Sequence, residues 1–345
     1  MLAVWDFVRQ HKKKIIFGGV VVGGVVGAMS YHKHEQQHVV SDDELIQKKN
    51  RRRYVYDSNH STCDDSIRDL AKNLFSLVEK RFEVDSYILR IQTDESMENA
   101  EKIKLWEKIK VNSFARIVAL SYSFSILTIV LKIQFSILTA VICNQIEQPK
   151  KDETSWYNKL TTMFDKSEDQ GLDTAGSKQT FLKCIQFFTS SGIYKLFDMV
   201  ENAIEKICVK LSLVVDSDRH SIRHLFDCFD QEISPKLEGE LWKLIAPIPE
   251  DMDSSDEIVK LLLKLVGYLN TSDCTFILYH LLDFYYSASC RKLSNESEKL
   301  ARNIPIISDA FEDVGSTSYD GPLKNSLCSS ELHSFSQMVF KTYKD

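Results

Sequence analysis

IVALSYSFSILTIVL, Ile117 to Leu131, is fifteen residues without a charge, and Ile133 to Cys143 adds eleven more after a lone lysine, Lys132. A run this long and apolar is either a membrane span or a helix buried on all sides within a protein core. Its content favours the core. Lys132 and Gln134 interrupt the run, and Ser121, Ser123, Ser125, Thr128 and Ser136 add hydroxyls along it. Upstream the helical pattern reaches back to Glu101, so Glu101 to Gln145 reads as one very long helix, or two nearly continuous ones, at the centre of a bundle.

Working outward, the punctuation of the chain agrees. The 345 residues hold 12 glycines and 6 prolines, and none of these falls between residues 28 and 148, a gap of 121 residues. A β-rich fold needs frequent tight turns, which those two residues supply, so the class is all-α: an elongated bundle of long helices. Further helices are expected near 43–54, 64–92, 178–190, 192–213, 216–231, 237–246, 254–269, 273–291 and 329–343. A connection over 146–180 carries one short helix at 156–164. Pro235, Pro247, Pro249 and Pro305 mark breaks, and 314–326 reads as a flexible loop.

The net charge of −6 conceals an asymmetry: residues 1–53 carry ten Lys/Arg against five Asp/Glu, while the acidic remainder is a poor nucleic-acid binder. The eight cysteines are never closer than sixteen residues and include no C-x-x-C pair. They read as free thiols in a reducing compartment, without a disulfide framework or a metal site.

The five glycines of Gly18 to Gly27 lie inside Ile15–Tyr31, seventeen uncharged residues behind the basic run Lys12-Lys13-Lys14. As a helix this segment spans about 25 Å, the short limit for a bilayer core. The domain reading is a basic targeting tail (1–14) whose lysines meet anionic lipid, a transmembrane anchor (15–31), a juxtamembrane linker and charged helix (32–54), and an all-α bundle (55–345). A cleaved signal peptide, with Ala28-Met29-Ser30 as its processing site and a secreted helical product, is the rival reading; a helical tether on another organelle is a third.

The search for chemistry excludes more than it finds. His32, His34 and His38 suit a polar linker as well as a metal site. Gly171 to Lys178 resembles a phosphate loop with its last two residues inverted and no strand before it. His220 and His224 lie one turn apart without the glutamate of a zincin. No cofactor, small-molecule substrate or enzymatic activity is expected, which leaves binding. Lys102-Ile-Lys-Leu-Trp106-Glu-Lys-Ile109-Lys110 stands out, because a tryptophan ringed by lysines anchors amphipathic acidic helices. A tryptophan closing the end of the bundle fits the same residues.

Several blocks resemble one family. They are Val4-Trp5-Asp6-Phe7 through Lys14 with the glycine-rich run; Arg53-Tyr54, Ser58-Asn59 and Thr62-Cys63; Leu105-Trp106-Glu107-Lys108-Ile109-Lys110 with Ser113-Phe114 and Arg116; Ile126–Ile137; and Ala301-Arg-Asn-Ile-Pro305-Ile-Ile. They are similar to the peroxin-3 family of peroxisomal membrane docking factors, chiefly over the first 140 residues. The resemblance implies a cytosolic bundle on a single peroxisomal membrane anchor, with the short N-terminus inside the organelle. It implies an apolar groove that holds a helix of the soluble import receptor, peroxisomal biogenesis factor 19. By the same resemblance Trp106 is the centre of the groove with Ile109 beside it. Lys102 and Lys110 lie at its rim, Ile88 and Leu89 form its opposite wall, and Ser136 is assigned to it where a relative has Asn.

Overall fold

A computed structural model describes residues 42–147, 181–182, 184–246, 257–318 and 320–343. The lysines at 12–14, the apolar run 15–31, His32, His34 and His38, the short helix at 156–164 and the 171–178 loop lie outside the described residues.

The helices are α1 (Asp42–Arg81), α2 (Asp85–Thr93), α3 (Asn99–Glu147), α4 (Ile193–Cys208), α5 (Arg219–Leu237), α6 (Trp242–Ile245), α7 (Glu257–Leu269), α8 (Ser272–Ser289), α9 (Leu300–Gly315), α10 (Pro322–Leu327) and α11 (Ser330–Thr342). A π-helical turn, Phe188–Gly192, leads into α4. The strands β1 (Asp216–Ser217) and β2 (Glu298–Lys299) pair antiparallel, Asp216 opposite Lys299. The class is all-α.

Helix α3 is the axis, and α1, α4, α7, α8, α9 and α11 pack around it. Every residue from Ser113 to Val141 is buried. By length and composition α3 could cross a membrane, but 94% of its most apolar window is covered by protein, so it is a core helix. Several of its polar residues are satisfied from within. The hydroxyls of Ser121, Ser123 and Thr139 donate to the carbonyls of Ile117, Ala119 and Phe135, one turn back. Lys132 Nζ lies 2.6 Å from Asp64 Oδ1, and Gln134 Nε2 donates to the Phe181 carbonyl at 2.6 Å. Arg116 donates to the Ser308 carbonyl at 2.6 Å, with its guanidinium over the Phe311 ring.

Helix α1 runs antiparallel to α3. Arg52 pairs with Asn144 (3.4 Å), Asn59 with Thr139 (2.9 Å), Asp64 with Lys132, and the Glu83 carbonyl with Asn112 (2.7 Å). This register puts the start of α1 beside the end of α3 and leaves the start of α3 at the opposite end of the bundle.

The elements differ from the sequence expectation where tertiary contacts override local signals. Helix α1 continues through residues 55–63, between the two expected helices, and Thr62 donates to the Ser58 carbonyl inside it. The break comes instead at 82–84, where Phe82 and Val84 turn into the core. Pro235 and Pro305 lie inside α5 and α9. Each forfeits one backbone bond, and in α9 the burial of Ile304, Ile307, Ala310 and Phe311 offsets the loss. The expected loop at 314–326 contains α10, with Pro322 at its first position. The eight cysteines are free thiols.

Candidate functional site

The start of α3 forms a hairpin with α2. Arg90 pairs with Glu101, Lys108 Nζ stands 5.7 Å from the centre of the Tyr87 ring, and Asp94 closes the loop by accepting from the amide (3.1 Å) and hydroxyl (2.7 Å) of Ser96. The Ser96 bonds hold the Asp94 carboxyl below its ordinary range. These contacts put α2 against the face of α3 that carries residues 101, 105 and 108, with Leu105 buried beneath it.

Trp106 and Ile103 lie elsewhere around the helix. With Lys110 they fall at i, i+3 and i+7, one stripe on one side of α3. Ile103 is 59% exposed and Trp106 half-buried, its inner edge packed on the core. Leu89 on α2 is 60% exposed and Ile88 half-buried. Lys102 is half-buried, and Lys104 and Lys108 are exposed, Lys108 on the face that meets α2. Ile109 is buried in the core directly under this end.

Two of the expected site residues have other surroundings. Lys110 does not stand at a rim: it is 1% exposed, and its ammonium donates to the carbonyls of Cys208 (3.0 Å) and Leu211 and pairs with Glu107. It caps the C-terminus of α4, where the helix dipole favours a cation. Burial pushes the neighbouring Cys208 thiol up to about 12, although Lys110 pulls it down. Ser136 is wholly buried, its hydroxyl 3.3 Å from His60 Nε2. It stands thirty residues along α3 from Trp106, about 45 Å at 1.5 Å per residue, so the two do not meet one ligand helix.

The sequence reading missed the segment after α4. A helix was expected through residue 213, but α4 stops at Cys208, and the chain that follows exposes Val209 (84%), Val214 (72%) and Val215. The only sequence signal was the apolar cluster Leu211-Ser-Leu-Val-Val215, which reads equally well as a helix end.

Among the described residues no group of three or more His, Cys, Asp or Glu side chains is placed to hold a metal. His220 and His224 are exposed on α5, and Arg223 between them pairs with Asp227 and Asp283. His60 is buried; burial and the nearby Lys132 lower its pKa to about 3, so it stays neutral and packs against Tyr56.

The profile of the Peroxin-3 family matches residues 71–254, just over half of the chain and inclusive of the whole Trp106 hairpin. The chain belongs to the peroxin-3 family. Peroxisomal biogenesis factor 3 of Bos taurus is 22% identical over 212 residues, covering 61% of this chain and 52% of that protein. The Homo sapiens protein of the same name gives the same identity and coverage. Peroxisome biogenesis protein 3-1 of Arabidopsis thaliana is 23% identical over 164 residues, 46% of this chain and 43% of that one. The chain spans about half the length of the curated relatives it matches.

Proposed function

We propose that this chain is a docking receptor of the peroxisomal membrane, acting in peroxisome biogenesis. In this reading residues 15–31 anchor it, the bundle faces the cytosol, and no covalent chemistry is involved. Its partner is the soluble import receptor, peroxisomal biogenesis factor 19, which delivers newly made membrane proteins for insertion. Membership of the peroxin-3 family and the names of its relatives support the peroxisomal setting. The observation that carries the docking role is the Ile103–Trp106 stripe: an exposed aliphatic and a half-buried tryptophan, with Lys102 beside Ile103, at the end of the bundle furthest from where the chain enters it. A large aromatic seated on the core with one face open is rigid at low entropic cost, which suits it to anchor the apolar stripe of a partner helix.

The test is Trp106→Ala in the full-length chain, with binding to purified peroxisomal biogenesis factor 19 measured by calorimetry. Loss of an anchor of this kind costs about 2 kcal/mol or more, about thirty-fold in affinity. Because Trp106 is half-buried at the end of the bundle, the circular dichroism spectrum should not change. Unchanged affinity would remove the stripe as the docking site.

A further inference from the structure

The first half of α5 is fixed by its neighbours, and the fixing leaves one pair of side chains to each other. Asp218 caps the helix, its carboxylate accepting from the Ser221 amide at 2.7 Å while the Ser221 hydroxyl accepts from the Asp218 amide at 2.8 Å. The Arg219 side chain donates to the Cys290 carbonyl at 2.9 Å. Arg223 pairs with Asp227 and with Asp283 of α8, and its guanidinium lies over the Tyr286 ring. Phe226 and Phe229 are buried beneath. Among these committed neighbours, His224 and Cys228 stand one turn apart on the outer face of the helix. His224 is exposed and Cys228 half-buried, with Nε2 and Sγ 3.8 Å apart.

That separation is close to the one a bound metal ion sets. Zinc holds an imidazole nitrogen at about 2.0–2.1 Å and a thiolate sulfur at about 2.3 Å, and a tetrahedral angle between such bonds puts the two donors about 3.6 Å apart. A small rotation of either side chain closes the difference. We propose that His224 Nε2 and Cys228 Sγ form a bidentate site for a thiophilic divalent cation, zinc above all. The donor set selects the class: imidazole with thiolate suits zinc, whereas magnesium and calcium take oxygen ligands. Binding displaces the thiol proton to solvent, and coordination through Nε2 leaves the ring proton on Nδ1. No third His, Cys, Asp or Glu converges on the pair among the described residues, and Asp227 is engaged by Arg223. Two corners of the tetrahedron are therefore open to water or to a donor from a second protein, and the ion is exchangeable rather than structural. With half the protein donors of a structural site, a dissociation constant on the order of 10 µM is expected. His220, one turn earlier, is exposed on the same face, but the contact of His224 is with Cys228.

The experiment titrates zinc into the untagged full-length chain, in detergent with a thiol-free reductant, and follows it by calorimetry. Cadmium serves as a second probe, because its bond to thiolate adds an ultraviolet absorbance band. That band reports sulfur, so His32, His34 and His38 cannot produce it. The parent should take up zinc and show the cadmium band. Cys228→Ser should abolish the band, and His224→Ala should weaken binding of both metals at least about ten-fold, the loss that follows removal of even an outer partner of a metal ligand. His220→Ala and Cys328→Ser change an exposed imidazole and an exposed thiol outside the pair, and should stay within about two-fold of the parent. Circular dichroism checks each variant; if Cys228→Ser does not fold, the band in the parent and its weakening in His224→Ala decide. A parent without the band overturns the proposal, as does a band that Cys328→Ser removes and Cys228→Ser keeps. Loss of zinc in His220→Ala with retention in Cys228→Ser would give the ion to the two histidines and overturn the mixed site.

Discussion

Replacing Asp230 by Asn should change the pH dependence of stability in a direction fixed by its surroundings. Asp230 Oδ1 accepts from Tyr122 (3.0 Å) and Tyr286 (2.8 Å), both fully buried where α5 and α8 meet α3. Burial raises the carboxyl from 3.8 to about 6; the two phenol bonds and Arg223 oppose the rise, and Asp227 adds to it. Burial likewise pushes both phenols well above their ordinary value, so they remain donors throughout. The folded state therefore favours the neutral carboxyl more than the unfolded chain does. That contribution is fully present below the unfolded pKa, near 3.8, and is lost as pH rises through about 6.

A shift of about two units is worth about 3 kcal/mol at 1.36 kcal/mol per unit. Asparagine copies the neutral acid in shape and keeps the acceptor oxygen, so the variant should match the parent near pH 4. By pH 7.5 it should have gained most of that 3 kcal/mol relative to the parent. Urea denaturation of both full-length proteins in the same detergent, at half-unit steps, gives the difference curve. Only the difference is used, because carboxylates such as Asp218 and Glu331, whose pKa values their hydrogen bonds lower, tilt both curves alike. A difference that stays flat from pH 4 to 7.5 would refute the claim that burial dominates at Asp230.

Two further predictions probe the core. Lys132→Met removes the partner of Asp64 and the donor to His60 Nδ1 (3.2 Å), and should destabilise by about 2–4 kcal/mol, less than for a fully buried pair because Asp64 retains some solvent; adding Asp64→Asn should recover part of the loss, and an additive double variant would contradict the pairing. Gly192→Ala places a Cβ 1.8 Å from the Leu244 carbonyl oxygen, which is backbone and cannot rotate away. The π-turn must shift, so a cost of about 1–3 kcal/mol is expected in thermal denaturation, and a neutral result would show that the approach of α6 is loose.

The axis of the fold was legible because it is written in composition. A stretch from Ile117 to Cys143 with one charge, Lys132, and no Gly or Pro has few outcomes other than a helix hidden on all sides, and its hydroxyls suit a protein core because those of Ser121, Ser123 and Thr139 return to the carbonyl one turn back. The break at Phe82–Val84 was hidden because no turn residue marks it; two apolar side chains entering the core bend the chain there. Helix α9 was hidden for the opposite reason, a proline in its second turn that packing overrides. At the start of α3, the shared face of Ile103, Trp106 and Lys110 could be read from spacing, since it depends on one helix. The surroundings of Lys110 could not. A lysine beside a tryptophan looks like a rim charge until its acceptors are known, and those carbonyls lie 98 and 101 residues away in sequence.

The register of α1 on α3 turns these local facts into a constraint on mechanism. Arg52 meets Asn144 near one end of the bundle, and Trp106 lies thirty-eight residues from Asn144 toward the other, about 57 Å at 1.5 Å per residue. The chain enters the described fold at Asp42, beside the end of α3. A partner held at Trp106 is therefore kept far from whatever surface lies next to Asp42, and a bundle built on an uninterrupted axial helix holds that distance rigidly. If the proposed anchor places a membrane beside Asp42, cargo captured at the Trp106 groove must be released, or must itself extend along the bundle, before it can enter that membrane. Docking and insertion are then separated in space by the length of α3, so a variant of the Trp106 groove should abolish recruitment, while a substitution beside Asp42 should leave recruitment intact.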